Sequence, residues 1–483
     1  MEKLDLDKTL KYIRTEKQMQ QLLIVIMLAN ITTMLNTSTV TISLPSYMTI
    51  FNIDINTVQW VVIGYTLPLC MMMPLSGYLC ERYSYRTVFL SGILLLGCCS
   101  FACACSINFL MLVISRFFKG IAAGLIIPST ISMLYRYIPV EKQPSYLGNA
   151  VLCQSLGIVI GPTLAGLILQ FSSWHVLFLI NIPLVLFTAW FAYQSIPKED
   201  MDLTQKFDFV SILEIAIGTG IILIAFTNGE SWGWSSLRFI CFVGIGLILL
   251  AIFIMRQFHS THPLLNFNVL KYRSFLIAIV VQCTLSMTQG ITGILSQLYL
   301  QTVRGYSPAE TGLFLLVPSL TLMIGNSITN TLHKKGFARW LIISGLVFAV
   351  LGNLGLCNVT IETNIILLLV FFSLRYFGLG IVQMPLTNYG IGAIPPKLSS
   401  HASAMYNWLK QFTQVVSTNI LTVLLSFNIS RFYLVSGKSG VPIEGTIEYS
   451  LAATQAVNSD FFYMTICLIA SLCCTFFIKP TNK

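Results

Sequence analysis

The sequence predicts an all-α membrane protein of about fourteen transmembrane helices, laid out as six spans, a two-span insert and six more. Three observations predict it. Hydrophobic residues make up 55% of the chain and charged residues only 10%, against about 25% charged in a soluble domain. Apolar runs recur along all 483 residues at the length of a span, since a helix needs about 20 residues to cross ~30 Å of hydrocarbon. Lys and Arg gather on alternate sides of those runs, as they do in cytoplasmic loops.

That ruler places spans near 20–44, 55–78, 86–106, 108–134, 145–170, 174–195, 208–227, 237–257, 274–300, 308–331, 338–358, 363–391, 400–428 and 458–478. A basic segment with Lys3, Lys8, Lys11, Arg14 and Lys17 precedes the first. The run from Gln20 to Leu44 is too long for a signal-peptide core, and no small-residue cleavage site follows. It is read as a retained span, with the N-terminus in the cytoplasm.

Orientation is then tested by charge. The segments predicted cytoplasmic hold those five, then Arg82, Arg86, Arg136, Lys142, Lys198, Lys206, Arg256, Lys271, Arg273, Lys334, Lys335, Arg339, Lys397, Lys479 and Lys483. The outer loops hold Arg304, Arg431 and Lys438, and carry Asp54, Glu230, Glu310, Glu362, Glu444, Glu448 and Asp460. This bias supports an even number of spans and puts both termini in the cytoplasm. The net charge of +10 is thereby a topology signal, and nucleic acid is not an expected partner.

The 13 cysteines lie almost all inside apolar runs, without metal-ligand spacing, and read as small core residues. No nucleophile elbow or phosphate-cradling loop stands in a suitable strand context. Neither catalytic residue, metal nor cofactor is expected, and the chain is not read as an enzyme. The expected surroundings are the lipid bilayer, and the expected state is a monomer.

Polar seams at 196–207 and 258–273 bracket one helix pair. The expected organisation is a cytoplasmic segment over 1–19, a first six-helix bundle over 20–200, a two-helix insert over 201–260 and a second bundle over 261–483. The two halves echo each other. The fourth span has Arg116-Phe117-Phe118-Lys119-Gly120 and the twelfth Arg375-Tyr376-Phe377-Gly378-Leu379-Gly380, each in the outer half of a span that descends toward the cytoplasm. Repeated six-span halves are a transporter architecture, with the binding site near the midplane between them.

Three further segments carry chemistry. The loop after the second span reads Gly77-Tyr78-Leu79-Cys80-Glu81-Arg82-Tyr83-Ser84-Tyr85-Arg86. An acid beside arginines can form charge-assisted bonds that latch the cytoplasmic side; taken alone, an ordinary charged loop fits equally. The fifth span has Gly157, Gly161, Pro162 and Gly166. Small residues at this spacing allow close helix contact and the proline bends the helix, which suits a gating helix and plain packing alike. The first span has Leu35-Asn36-Thr37-Ser38-Thr39-Val40, closing at Leu44-Pro45.

With these residues in view, the chain resembles the major facilitator superfamily, and within it the fourteen-span drug:proton antiporter branch of multidrug-efflux, antibiotic-resistance transporters. Residues 77–86 are similar to the superfamily's signature between spans two and three. Arg116 to Gly124 resembles its fourth-span signature, and Gly157 to Gly166 its fifth-span antiporter signature. The 35–45 segment resembles the branch's first-span motif, and Trp174 through Asn181-Ile182-Pro183 fits its sixth span. The resemblance implies a major facilitator fold, two six-helix bundles rocking around a central cavity. It also implies export across the plasma membrane driven by protons.

The chain departs from that pattern in places. The branch usually has an aspartate at Asn36, tied to proton coupling or cationic drugs, and a neutral residue at Lys119. Glu81 replaces a shorter acid, and Ser84 a glycine. Arg116 and Lys119, three apart, are expected on one helix face. Glu214 is read as the one acid well inside a span, a functional candidate by default, although it sits in the insert.

The inferred cavity is therefore poor in acid, with Arg116, Lys119 and Arg375 near it. That disfavours a purely cationic substrate, because desolvated like charges repel, and favours a neutral, zwitterionic or anionic amphiphile. Asn36, Gln154, Gln289, Gln297, Gln383, Asn388, Asn407 and Gln411 are candidates to orient it. Singly, each reads more simply as interhelical hydrogen-bond glue. Trp60, Tyr65, Tyr406 and Trp408 suit an aromatic wall or interfacial anchoring. The readings carried forward are a proton-coupled exporter of amphiphilic small molecules, and a carrier of one neutral or anionic, lipid-like solute with coupling lost or rebuilt. A non-transporting receptor has only the missing first-span acid behind it.

Overall fold

A computed structural model describes residues 16–53, 55–198, 208–260, 263–333, 338–435 and 446–478. Lys3, Lys8, Lys11, Arg14, Asp54, Lys206, Lys334, Lys335, Lys438, Glu444, Lys479 and Lys483 lie outside the described residues.

Among the described residues, fourteen helices are long and apolar enough to cross a membrane. They are α1 (Glu16–Phe51), α2 (Trp60–Tyr83), α3 (Tyr85–Ala104), α4 (Phe109–Tyr137), α5 (Gln143–Phe171) and α6 (Val176–Ser195). The insert supplies α7 (Phe209–Thr227) and α8 (Leu237–His259). Then follow α9 (Arg273–Gln297), α10 (Pro308–His333), α11 (Ala338–Leu356), α12 (Ile365–Ile391), α13 (Ser399–Val435) and α14 (Ile447–Thr475). Helices are the expected answer, because in hydrocarbon every backbone polar group must be satisfied within the segment.

Caps and hydroxyls show how polar residues fit into such helices. Asn108 accepts from the Met111 amide at 2.8 Å to start α4, and Ser236 from Phe239 at 3.1 Å to start α8. In α1 the hydroxyls of Thr32, Thr33, Ser38, Thr39 and Ser43 each donate to a carbonyl one turn back, which lets them lie in an apolar setting.

One predicted boundary needs correction. The last span was expected from 458, with Glu448 and Asp460 in the outer loop. Instead α14 starts at Ile447, capped by Thr446 Oγ1 on the Tyr449 amide at 3.2 Å. The run 448–460 looks loop-like because Glu448, Ser450, Asn458 and Asp460 interrupt it. Its face with Ala452, Ala453, Ala456 and Val457 is buried, and that face makes it a helix. Asp460 therefore sits mid-helix.

The chain forms two compact units. The first comprises 1–225, 232–275 and 390–409; the second comprises 226–231, 276–389 and 410–483. The insert's transmembrane helices thus belong mainly with the first unit, and α13 is divided at Leu409. In the first unit α2 packs along α4, α1 along α5, and α3 against α4 and α6. Its core holds Val40, Tyr47, Val61, Leu112, Trp174 and Phe178, with Tyr47 edge-on to Trp174 at 5.4 Å. In the second unit α11 packs on α14, which also meets a π-helical turn, Leu298–Val303, at the end of α9.

Candidate transport site

The first unit assembles its site around α4. Gly120 and Gly124 have no room for a side chain: a Cβ at Gly124 would lie 2.7 Å from the Leu69 carbonyl oxygen of α2. This close approach brings Arg116, 1% exposed, against the start of α2. Its Nε donates to the Val61 carbonyl at 3.0 Å and one terminal nitrogen to the Asn36 carbonyl at 3.3 Å. The guanidinium lies 4.5 Å from the Tyr65 ring centre, a cation–π distance. Asn36 turns its Nδ2 back to the Thr32 carbonyl at 2.8 Å and leaves Oδ1 buried without a partner.

Arg116, Asn36 and Tyr65 are thus brought together, and Lys119 bonds none of them. Its Nζ lies 5.0 Å from the Phe178 ring of α6, fully buried and without a hydrogen bond. A spacing of three residues is about 60° short of a full helical turn, enough to direct Arg116 toward α1 and α2 and Lys119 toward α6.

Glu214 is engaged elsewhere. Its Oε1 receives Arg256 at 2.8 Å, and the same guanidinium reaches Asp208 at 3.5 Å. The insert is further tied by Gln257, which donates to Ser211 Oγ at 2.9 Å and accepts from the Leu264 amide at 2.5 Å.

The 77–86 segment closes onto the start of α13. A Cβ at Gly77 would sit 2.9 Å from the Ser400 carbonyl oxygen, so only glycine admits this approach. Glu81 then receives the Ser400 hydroxyl, and His401 Nε2 lies 3.2 Å from Glu81 Oε2. The other ring nitrogen, Nδ1, lies 3.2 Å from the Leu264 carbonyl oxygen. Both ring nitrogens of a buried imidazole therefore face acceptor oxygens. Arg82 reaches the Tyr78 hydroxyl at 3.4 Å, and Arg86 lies 4.4 Å over the Tyr193 ring. Ser403 adds a bond to the Pro128 carbonyl at 2.9 Å. Ser84 has φ 74° and ψ 149°, backbone space that favours glycine.

In α5, Gly157 and Gly161 lie against α1, where Ser38 Oγ donates to the Gly157 carbonyl at 3.1 Å. Pro162 lies within the same helix. Nothing lies within 4 Å of the Cβ that Gly166 lacks. Trp60, Tyr65, Gln154, Asn407 and Trp408 fall in the first unit, and Gln289, Gln297, Gln383, Asn388 and Gln411 in the second. Asn407 is buried and donates to the Ser403 carbonyl at 2.9 Å, and Gln383 lends its carbonyl to Thr387.

In the second unit Arg375, 1% exposed, donates to the Thr288 carbonyl of α9 at 2.8 Å. Of two other ionisable residues here, the sequence reading passed over Lys410 and placed Asp460 in the outer loop. Lys410 is partly buried on α13, about 16 Å along the helix from its start. Asp460 is fully buried in α14, and both carboxylate oxygens lack a hydrogen-bond partner.

A family model for the Major Facilitator Superfamily matches residues 26–418. The chain belongs to this superfamily. It is a multi-pass membrane transporter rather than an enzyme, and its substrates are small molecules. Among similar proteins, an uncharacterized MFS-type transporter, YhcA, of Bacillus subtilis is 24% identical over 97% of this chain and 94% of its own. The lincomycin resistance protein LmrB of Listeria monocytogenes is 26% identical over 91% and 92%. A putative multidrug resistance protein, MdtD, of Yersinia pestis is 24% identical over 90% of each. In fold, the chain resembles the human organic anion transporter MFSD10, with a TM-score of 0.65, 12% identity and coverage of 96% and 100%.

Proposed function

We propose that the protein is a plasma-membrane exporter of amphiphilic small molecules, working by alternating access and driven by protons. We further propose that its substrates are neutral, zwitterionic or anionic. The observation that carries the substrate class is the setting of Arg116. Its partners are two backbone carbonyls and a Tyr65 face, and Asn36, which supplies one of those carbonyls, bears no charge. A cationic substrate would meet an unneutralised guanidinium, whereas an anionic or hydrogen-bonding headgroup would be drawn to it. Names of drug-resistance proteins among the relatives support efflux.

The test is transport into inside-out vesicles with an imposed proton gradient. Accumulation of an amphiphilic dye that collapses with a protonophore supports the proposal; accumulation that persists unchanged refutes the proton-driven part. The second reading, a carrier for one anionic lipid-like solute, is favoured by the same cations. It predicts that unrelated amphiphiles fail to compete with the transported one.

A further inference from the structure

We propose that Asp460 is the residue that takes up and releases the coupling proton. The proposal rests on the proton-driven reading above and names its site. Asp460 is the fourteenth residue of α14, about 20 Å from either end, which places it deep in the apolar thickness. It is fully buried, and neither carboxylate oxygen has a hydrogen-bond partner. An ionised carboxylate left in this state carries a large desolvation cost, so this packing accommodates Asp460 only as the neutral acid. Among the described residues Asp460 is the one fully buried acid, and the partly buried Glu81, Glu214 and Asp208 are engaged, the first with Ser400 and His401 and the other two with Arg256. Asn36, for its part, has no proton to exchange.

The surroundings account for the packing of α14 without Asp460. Asn353 of α11 donates to the Phe461 carbonyl at 2.7 Å and to Thr465 Oγ1 at 2.8 Å. Asn458 donates to the Val359 carbonyl at 2.9 Å. The helix is thus pinned on both sides of the acid by bonds that do not involve it. The titratable groups on the elements packed against α14 are likewise committed. Tyr299 donates to the Thr360 carbonyl at 2.6 Å, and Arg304 bonds the Ile361 carbonyl. Cys357 bonds the Asn353 carbonyl at 3.3 Å, Cys283 bonds Thr413, and Arg375 holds the Thr288 carbonyl. Arg273 and Arg339 stand in the first turns of α9 and α11, roughly 20 Å or more along each helix from the parts that meet Phe461. On α14 itself, Glu448 lies a full three turns away, and Tyr449, Tyr463, Cys467, Cys473 and Cys474 are the remaining titratable groups.

A means of movement packs on the same helix. The π-helical turn Leu298–Val303 packs on α14, and such turns mark places where a helix departs from its regular ladder, often at functional sites. A shift there would hydrate Asp460 and let the proton leave; repacking would require one to return.

The test uses reconstituted full-length protein and its Asp460→Asn and Asp460→Glu variants, with two readouts. Substrate exchange without a pH gradient reports binding and alternation. Accumulation under an imposed pH gradient reports coupling. Asp460→Asn is expected to keep exchange within about twofold and to lose gradient-driven accumulation at least tenfold, with partial recovery in Asp460→Glu. Asp460→Asn accumulating as well as the parent overturns the proposal. A parent that exchanges substrate but ignores the gradient overturns the proton-driven reading instead. If Asp460→Asn loses both activities, the parent decides by labelling with dicyclohexylcarbodiimide, which modifies protonated carboxyls in apolar settings. Mass spectrometry should find adduct on Asp460 that declines as pH rises, and no adduct at any pH overturns the assignment.

Discussion

Arg116 bonds the backbone carbonyl of Asn36 at 3.3 Å, joining α4 to α1 through a residue that cannot ionise. Placing a carboxylate there, in Asn36→Asp, would set an anion beside the guanidinium and neutralise it. The expected outcome is a change of substrate charge: efflux of cationic amphiphiles rises severalfold and that of anionic ones falls by a similar factor. Parallel efflux assays with dyes of either sign read the result directly.

The Glu81–His401 pair holds the start of α13 against α2, with Cys80 buried beside it. In His401→Ala the bonds to Glu81 and to the Leu264 carbonyl are both lost, about 1–3 kcal/mol each for a buried group left unpaired. Maleimide modification of Cys80, followed by mass spectrometry, should speed up at least tenfold. Glu81→Gln should do the same to a smaller degree, because Ser400 retains an acceptor.

Most of the helices lie near the apolar runs that predict them, since twenty apolar residues with charged ends have few other uses. Arg116 was legible from its motif, but its partners are carbonyl oxygens, which no residue pattern marks. Asp460 escaped because polar neighbours made the first half of α14 resemble a loop; buried alanines, visible only in three dimensions, hold it as a helix. His401 escaped for a different reason: its acid partner is 320 positions away by residue number (401 against 81), and pairing across that distance is a property of the fold. Glu214 was legible as an intramembrane acid, while its neutralisation by Arg256 from the neighbouring helix was not.

Ser84 occupies backbone space at φ 74° that costs of order 1–3 kcal/mol for a residue with a side chain. Its hydroxyl caps α3 through the Thr87 amide at 3.4 Å, a cap that glycine replaces at a loss of only a few tenths of a kcal/mol. Ser84→Gly should therefore stabilise the protein by about 1 kcal/mol. Thermal unfolding of purified protein should show a higher midpoint, with transport unchanged.

Lys119 is fully buried with no acceptor for its ammonium, and a buried charge without a partner is a net cost. Lys119→Met keeps the side-chain length beneath the Phe178 ring and removes the charge. Thermal stability should rise by roughly 1–3 kcal/mol. Because Nζ bonds neither Arg116 nor Asn36, the preference among anionic and cationic substrates should hold within about twofold, which the same paired dyes measure.

The central claim is that an acid-poor, cation-bearing bundle exports neutral or anionic amphiphiles at the expense of a proton gradient. The measurement that tests it most directly compares two fluorescent amphiphiles, identical except for headgroup charge, in inside-out vesicles under one imposed pH gradient. The account predicts that the anionic member accumulates at least fivefold more than the cationic one, and that the difference vanishes when a protonophore is added. Preferential accumulation of the cation, or accumulation indifferent to the gradient, would contradict it.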